Sequence, residues 1–514
     1  MVTIFQLIEE KCLVYGERIF LEEFFSGKSK TYSAFYKDLC ATVSFLDEQK
    51  IPTGIHFSII APNSIDYLLV LFAMQTRGNT AVNLNPQLTT KEIAHRLAFT
   101  QVEVLITTKE IFLSLQSAIN ISIVLFLNEC PEGDFPNSTH LQLKIPAFSE
   151  IPAVENMSVP NAFLQFTGGT SGITKAAIIQ HQNVLSNVKQ ITTHINDTSE
   201  VYPHCILVAF PFYHVFSIVF NVLTFLNGGG TCVLIASPRD IDSIIHVFKN
   251  YPITFTVAVN TLYKLLMQHP QIGEVDFSSL KYSIGGGEHI QYSTKVKWQA
   301  LTGVPIYEAY GLTETAAMAI VNPLNEKNDL KTIGIALPET EVELFDDMHQ
   351  IIRTTDCAGE IALKGPQVTS GYYNNPTETD NAFFEGWFKT GDIAIRNDTG
   401  YFTIIDRKKD MISVSGNKVY PNEVEEVIAQ VEGILDVAVV ARRSSTSGEE
   451  VVACVVTDRE IDKEQIIAYC RASLTNFKIP KDVVYLAQLP KSPIGKTLRA
   501  QLRVMINQKM NGND

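Results

Sequence analysis

The chain has 514 residues and a mass of 57.2 kDa, enough for several structural units with substantial cores, so a lone small module is excluded. With 46% apolar and 19% charged residues, and 29 Gly and 22 Pro spread along its length, it is neither disordered nor collagen-like. Its 41 Lys and Arg against 55 Asp and Glu give a formal charge of −14, which disfavours a nucleic-acid protein held by a broad basic face.

The first segment, MVTIFQLIEEKCLVYGER, places Glu9, Glu10 and Lys11 close behind its first apolar residues and lacks the basic start and apolar run of a signal peptide. Eight cysteines (12, 40, 130, 205, 232, 357, 454 and 470) are scattered without CxxC pairs, as expected for reduced thiols in a cytoplasmic protein without a structural zinc site. Short β-branched runs then alternate with helical stretches: SIIAPN, IDYLLVLFAMQTRG, TAVNLN, KEIAHRLAFTQ and VEVLITT, later TFTVAVN, TLYKLLMQH and YSIGGG. That alternation predicts α/β architecture with largely parallel sheets.

From Val201 to Pro238 there is no Asp, Glu, Lys or Arg, and Cys205 to Leu226 is long enough to span a bilayer. Pro211, His214, Ser217, Asn221, Thr224 and the run Gly228-Gly229-Gly230 divide it, however, into strand (CILVAF), apolar helix (YHVFSIVFNVLTFL), turn and strand (TCVLIA). Buried α/β core is favoured over a transmembrane helix, although the region also permits peripheral contact with the inner surface of a membrane.

Beyond about Thr332 the strands shorten (EVELFD, GEIALKG, GYFTII), as in a smaller, antiparallel, barrel-like unit. The charged cluster Asp406 to Asp410 then precedes a further strand and helix alternation of domain size. The expected division is residues 1–405 and 406–514, with a hinge at Asp406.

The segment NAFLQFTGGTSGITKAAI opens from an apolar run into Thr167, Gly168, Gly169, Thr170, Ser171 and Gly172, with Lys175 three residues on. Glycines let backbone N–H groups converge on an anion, hydroxyls add donors and the lysine adds charge, which suits polyphosphate. It is not a Walker loop, because Ile173 and Thr174 separate Gly172 from Lys175; the GKT at Gly495 to Thr497 also fails, since position 490 is Pro.

Seven segments recur in a fixed order: TGGTSGITK at 167–175, PFYHVF at 211–216, SIGGGEHI at 283–290, YEAYGLTET at 307–315, GWFKTGD at 386–392, IDRKKDMISVSGNKVYPNEVEE at 405–426 and PKSPIGKTLR at 490–499. The series resembles the adenylate-forming superfamily of acyl-CoA synthetases, adenylation domains and luciferases, and within it bacterial long-chain fatty-acid–CoA ligases. The resemblance implies a large N-terminal part of two α/β subdomains plus a β-barrel, and a small mobile α+β C-terminal domain. It also implies that an acid and ATP, with Mg²⁺, give acyl-adenylate and pyrophosphate, after which coenzyme A displaces AMP.

Matched motif by motif, the resemblance assigns Thr167, Gly168, Gly169, Ser171, Gly172 and Lys175 to the phosphates, and Thr170 and Glu314 to the metal. Gly285, Gly286 and Gly287 match a strand end along the adenine, with Tyr310 stacking on the ring and Gly311 and Thr313 beside the nucleotide. Asp392 matches the carboxylate that receives the ribose hydroxyls, and Arg407 a nucleotide contact past the hinge. Lys496 is implied as the adenylation lysine, a mobile cation that offsets charge between two anions. On rotation about Asp406, Ser415 and Gly416 would replace it.

His214 matches a position on the acyl and coenzyme A side, and a core histidine is the competing reading. Phe216, Ile218, Val219 and Phe220, with Val259 and Gly286, are candidate walls of an apolar acid pocket. The aspartate that would hold an α-ammonium group is absent from PFYHVFS, which disfavours an amino-acid substrate. Thr174 stands where the family often has Pro, and Ala176 where Gly usually follows the lysine; a positive φ at 176 would strain the loop and slow ATP use. Asn417-Lys418 also departs from the long-chain ligase form. Open alternatives are transfer to an acyl carrier protein, luciferase-like oxidation, and a fatty-acid or nucleotide-binding relative without turnover.

Overall fold

The computed structural model describes residues 2–133, 138–147, 159–167, 175–196, 204–444, 446–492 and 495–510. The strand and helix alternation forms two large, mainly parallel sheets. The first has seven strands in the order Thr139–Gln142, Ile123–Phe126, Val102–Thr107, His56–Ile60, Thr80–Asn83, Asn161–Phe166 and Ala176–Gln180, parallel except for the last pair. The second has nine strands. Six run parallel, in the order Ile19–Glu23, Thr231–Leu234, Cys205–Val208, Phe255–Ala258, Tyr282–Gly285 and Ile306–Tyr310, with antiparallel strands at both edges.

Between these sheets lies the principal core. Ile65–Thr76 is apolar around its circumference and is accordingly buried on every side, with Ser64 capping it by accepting from Tyr67 N at 3.1 Å. The uncharged stretch at 205–226 is core as well: Ile206, Val208, Ile218, Val219 and Leu223 join this cluster. No residue from 205 to 226 is fully exposed, which withdraws that stretch as a membrane-contacting surface. Among the described residues no helix is long and apolar enough to cross a membrane. Part of its helix departs from the expected α form, since Ser217–Thr224 is wound as a π-helix, with Thr224 Oγ1 donating to Val219 O at 2.9 Å. Such wide turns are uncommon and cluster near functional sites.

The third sheet is antiparallel and comprises Glu341–Phe345, Gly359–Lys364, Phe383–Phe384, Trp387–Arg396 and Phe402–Arg407. Among the described residues its edge strands share no ladder, so the β-barrel expected there is not confirmed. Its last strand runs through Asp406 and pairs Arg407 with Asp392. The chain enters the fourth sheet at Ile412–Val414, where Asn417–Val419, Ile434–Ser444, Gly448–Thr457 and Asp482–Tyr485 complete a second unit with its own core of Val439, Ala453, Val455 and Ile466. All eight cysteines are described and form no disulfide.

Candidate functional site

The adjacent parallel strands Tyr282–Gly285 and Ile306–Tyr310 end side by side, and open α/β sheets hold ligands beyond such carboxyl ends. The Tyr310 hydroxyl donates to Asp392 Oδ2 at 2.7 Å, while Arg407 Nε stands 3.2 Å from Asp392 Oδ1. Asp392, 4% exposed, thus joins the third sheet to the second. Burial opposes the Arg407 charge, but Asp392 and Tyr310 outweigh it and raise its pKa. Thr313 opens the short 3₁₀ turn Thr313–Thr315, and Gly311 passes so close to the Ala317 backbone that no side chain fits there.

The glycines have a second reason to be glycine. A Cβ on Gly285 would meet Ile306 at 2.7 Å and Ile290 at 2.8 Å, and one on Gly286 would meet the Ala309 carbonyl at 2.8 Å. Protein packing therefore already excludes side chains at both, independently of a ring lying along the strand. Gly287 has φ +82, with Val259 3.5 Å from its Cβ position.

On the phosphate side, Gly168, Gly169, Thr170, Ser171, Gly172 and Thr174 lie outside the described residues. The base of their loop is defined: Thr167 N donates to Lys175 O at 3.1 Å. Lys175 pairs with Glu378 and stands 5.3 Å over the Tyr372 ring. Tyr372 in turn donates to Glu314 Oε1 at 2.8 Å. Burial raises the Glu314 carboxyl above its ordinary pKa, against the opposing pull of Tyr372, Arg407 and Lys175. Ala176 is a buried strand residue with negative φ, paired with Phe166, so the strain anticipated at that position does not arise.

Lys496 lies within the electrostatic reach of Arg407, Glu288, Asp392 and Lys409, and burial brings its pKa down to about 8. His214 is brought down to about 4, first by burial and then by Lys496. The structure therefore brings Lys496 within electrostatic reach of His214, Asp392 and Arg407, although 282 positions separate Lys496 from His214 along the chain. Ser415 and Gly416 are elsewhere: with φ of 48° and 81° they form an exposed hairpin turn, and Ser415 N bonds Ser447 O of its own unit. Of the expected pocket walls, Ile218, Val219 and Phe220 belong to the core between the large sheets, Phe216 packs against it, and Val259 belongs to the cluster behind the second sheet.

Tyr372, Glu378 and Glu288 escaped the sequence reading. Glu288 directly follows the three glycines, an available signal. For Tyr372 and Glu378 there was none, because their roles arise from partners at Glu314 and Lys175, far away in the chain.

The donor set suits a magnesium ion carried on nucleotide phosphates, which takes few protein oxygens: Glu314 offers a hard carboxylate beside cationic Lys175 and Arg407. The AMP-binding enzyme family model matches residues 8–373, and that of the AMP-binding enzyme C-terminal domain matches residues 423–496. The chain belongs to the AMP-binding enzyme family. A long-chain-fatty-acid–CoA ligase of Salmonella typhimurium is 35% identical over 478 residues, covering 88% of this chain and 85% of the relative. Family membership is matched by the fold. The amide bond synthetase McbA of Marinactinospora thermotolerans superposes with a TM-score of 0.87 at 23% identity, over 98% of this chain and 100% of that one. ATP-bound MatB of Rhodopseudomonas palustris gives 0.83 at 23% identity, over 96% and 98%.

Proposed function

We propose that the chain is an ATP- and Mg²⁺-dependent fatty-acid–CoA ligase. The observation that carries this reading is that Lys496 stands within electrostatic reach of His214 and of the Asp392–Arg407 pair, in a chain 35% identical to a long-chain-fatty-acid–CoA ligase.

In the first half-reaction a carboxylate oxygen bonds to the α-phosphorus of ATP and pyrophosphate leaves. Both reactants are anions, so the chain's contribution is alignment and charge compensation. Asp392 and Arg407 hold the nucleoside side, Lys175 and the loop before it hold the β- and γ-phosphates, and Lys496 reaches the carboxylate and α-phosphate oxygens. Glu314 would hold the magnesium ion, with Thr170 as its partner by resemblance, and the ion when bound would supply neutralisation of phosphate charge. In the second half-reaction the coenzyme A sulfur bonds to the acyl carbon and AMP leaves, after rotation about Asp406 has exchanged Lys496 for Ser415 and Gly416. His214, held neutral by burial, presents an uncharged face to the acyl side.

The finer reading is a medium- or long-chain acid passed to free coenzyme A; a carrier-protein phosphopantetheine is the competing acceptor. Acid-dependent ATP–pyrophosphate exchange across octanoate to hexadecanoate tests the reading, with Lys496→Ala as the diagnostic variant. The variant is expected to lose exchange while still forming thioester from supplied acyl-adenylate. No exchange with any acid would defeat the enzyme assignment, and trapping with coenzyme A against carrier protein identifies the acceptor.

A further inference from the structure

We propose that Glu426 and His289 form a latch between the two units, holding the C-terminal unit in the one orientation that presents Lys496. They are then positioning residues for adenylation and not for thioester formation. This rests on the role given above to Lys496.

Glu426 Oε1 accepts from His289 Nε2 at 2.7 Å and from Tyr292 N at 3.2 Å, so one carboxylate of the second unit clasps two donors of the first, three residues apart. Burial opposes the His289 charge, yet Glu426 and Glu308 raise its pKa against both burial and Lys295, which makes the contact a charge-assisted one. Glu426 cannot relax to follow the first unit, because the helix Pro421–Ile428 that carries it is fixed from behind. Its neighbour Glu425 accepts from Arg499 Nη2 at 2.8 and 2.7 Å on its two oxygens and from Val439 N at 2.7 Å.

Arg499 lies three residues beyond Lys496, so the latch and the lysine are joined by one rigid path through Glu425. A second clasp lies next to the lysine itself: Thr261 Oγ1 donates to Gly495 O at 3.0 Å and accepts from Lys491 Nζ at 2.7 Å. Rotation of the second unit about residues 406–411 breaks the bonds at His289 and Thr261 and leaves Glu425 with Arg499. A contact made in only one of two states shifts their equilibrium by its own free energy, so the latch favours adenylation alone.

The test uses the full-length chain with Glu426→Ala, His289→Ala and the double variant. Each single change is expected to slow hexadecanoate-dependent ATP–pyrophosphate exchange about tenfold, Glu426→Ala the more because it also frees Tyr292 N, and the double change little beyond Glu426→Ala. Thioester formation from supplied hexadecanoyl-adenylate and coenzyme A should be unchanged or faster. Parallel loss of both half-reactions, or undiminished exchange, overturns the latch. Thr261→Val should give the same split if the Ala variants fold poorly. Lys496→Ala separates the two ideas: exchange that survives in it defeats the assignment of the lysine, whereas exchange lost in it but intact in Glu426→Ala defeats only the latch.

Discussion

The Tyr310 hydroxyl and Asp392 Oδ2 lie 2.7 Å apart, and that bond joins the end of a parallel strand to the antiparallel sheet that carries Asp392, the carboxylate proposed to receive the ribose. Because Asp392 is buried, removal of the donor leaves a desolvated oxygen uncompensated. Tyr310→Phe is therefore expected to cost about 1–3 kcal/mol of stability, read as a lowered denaturation midpoint. The KM for ATP should rise as Asp392 loses its fixed orientation. An unchanged midpoint and KM would remove the bond from both roles.

Lys496 titrates at about 8 because burial opposes its charge. An ammonium that must offset two anions is lost as pH rises through that value, so kcat/KM for the exchange reaction should fall on the alkaline side of about pH 8. Lys496→Arg keeps its charge throughout and should abolish that fall while lowering the plateau, since a guanidinium fork does not match the reach of an ammonium. Profiles of kcat/KM from pH 6 to about 9.5 check this.

Glu314→Gln preserves an acceptor for Tyr372 and removes a charge that burial already disfavours. Stability should be unchanged or slightly higher. Exchange should fall about a hundredfold, with a higher Mg²⁺ concentration for half-maximal rate. Equal Mg²⁺ dependence in variant and parent would contradict the metal role.

His214 has its pKa lowered from 6.5 to about 4, chiefly by burial. Between those values the unfolded chain takes a proton that the folded chain refuses, so stability is present above pH 6.5 and is lost as pH falls toward 4. The contribution is about 3 kcal/mol. His181 is lowered to about 4 in the same way, so His214→Gln should remove roughly half of the loss these two histidines cause. Urea denaturation at pH 7 and about pH 4.5 measures the difference.

Much of the architecture was legible because it follows from periodicity and composition. The helix at 65–76 and the strands at 205–208 and 231–234 are apolar runs bounded by turn residues, and burial is the only favourable place for them. The π-helix at 217–224 was not legible, since the same apolar pattern serves an α-helix and the difference lies in one backbone register. The barrel expectation failed to find closure for a similar reason: strand length and turn spacing describe a sheet, while closure depends on pairing between its edges. Glu288 shows the limit at the site, where a residue adjacent to a recognised motif gained its meaning only from Lys491 and Lys496, more than two hundred positions later.

By itself the sequence determined the kind of chemistry, because opposing the charge of a polyphosphate demands particular residue types and these stand in a recognisable order. Tertiary structure alone decided which of them work together. Lys496 and the Ser415–Gly416 turn belong to the same small unit, and nothing local to either dictates which one meets the cleft. In this structure Lys496 is the one beside Arg407 and Asp392, and contacts from His289, Thr261 and Lys264 to the small unit accompany that placement, contacts that depend on how two separately folded bodies sit together.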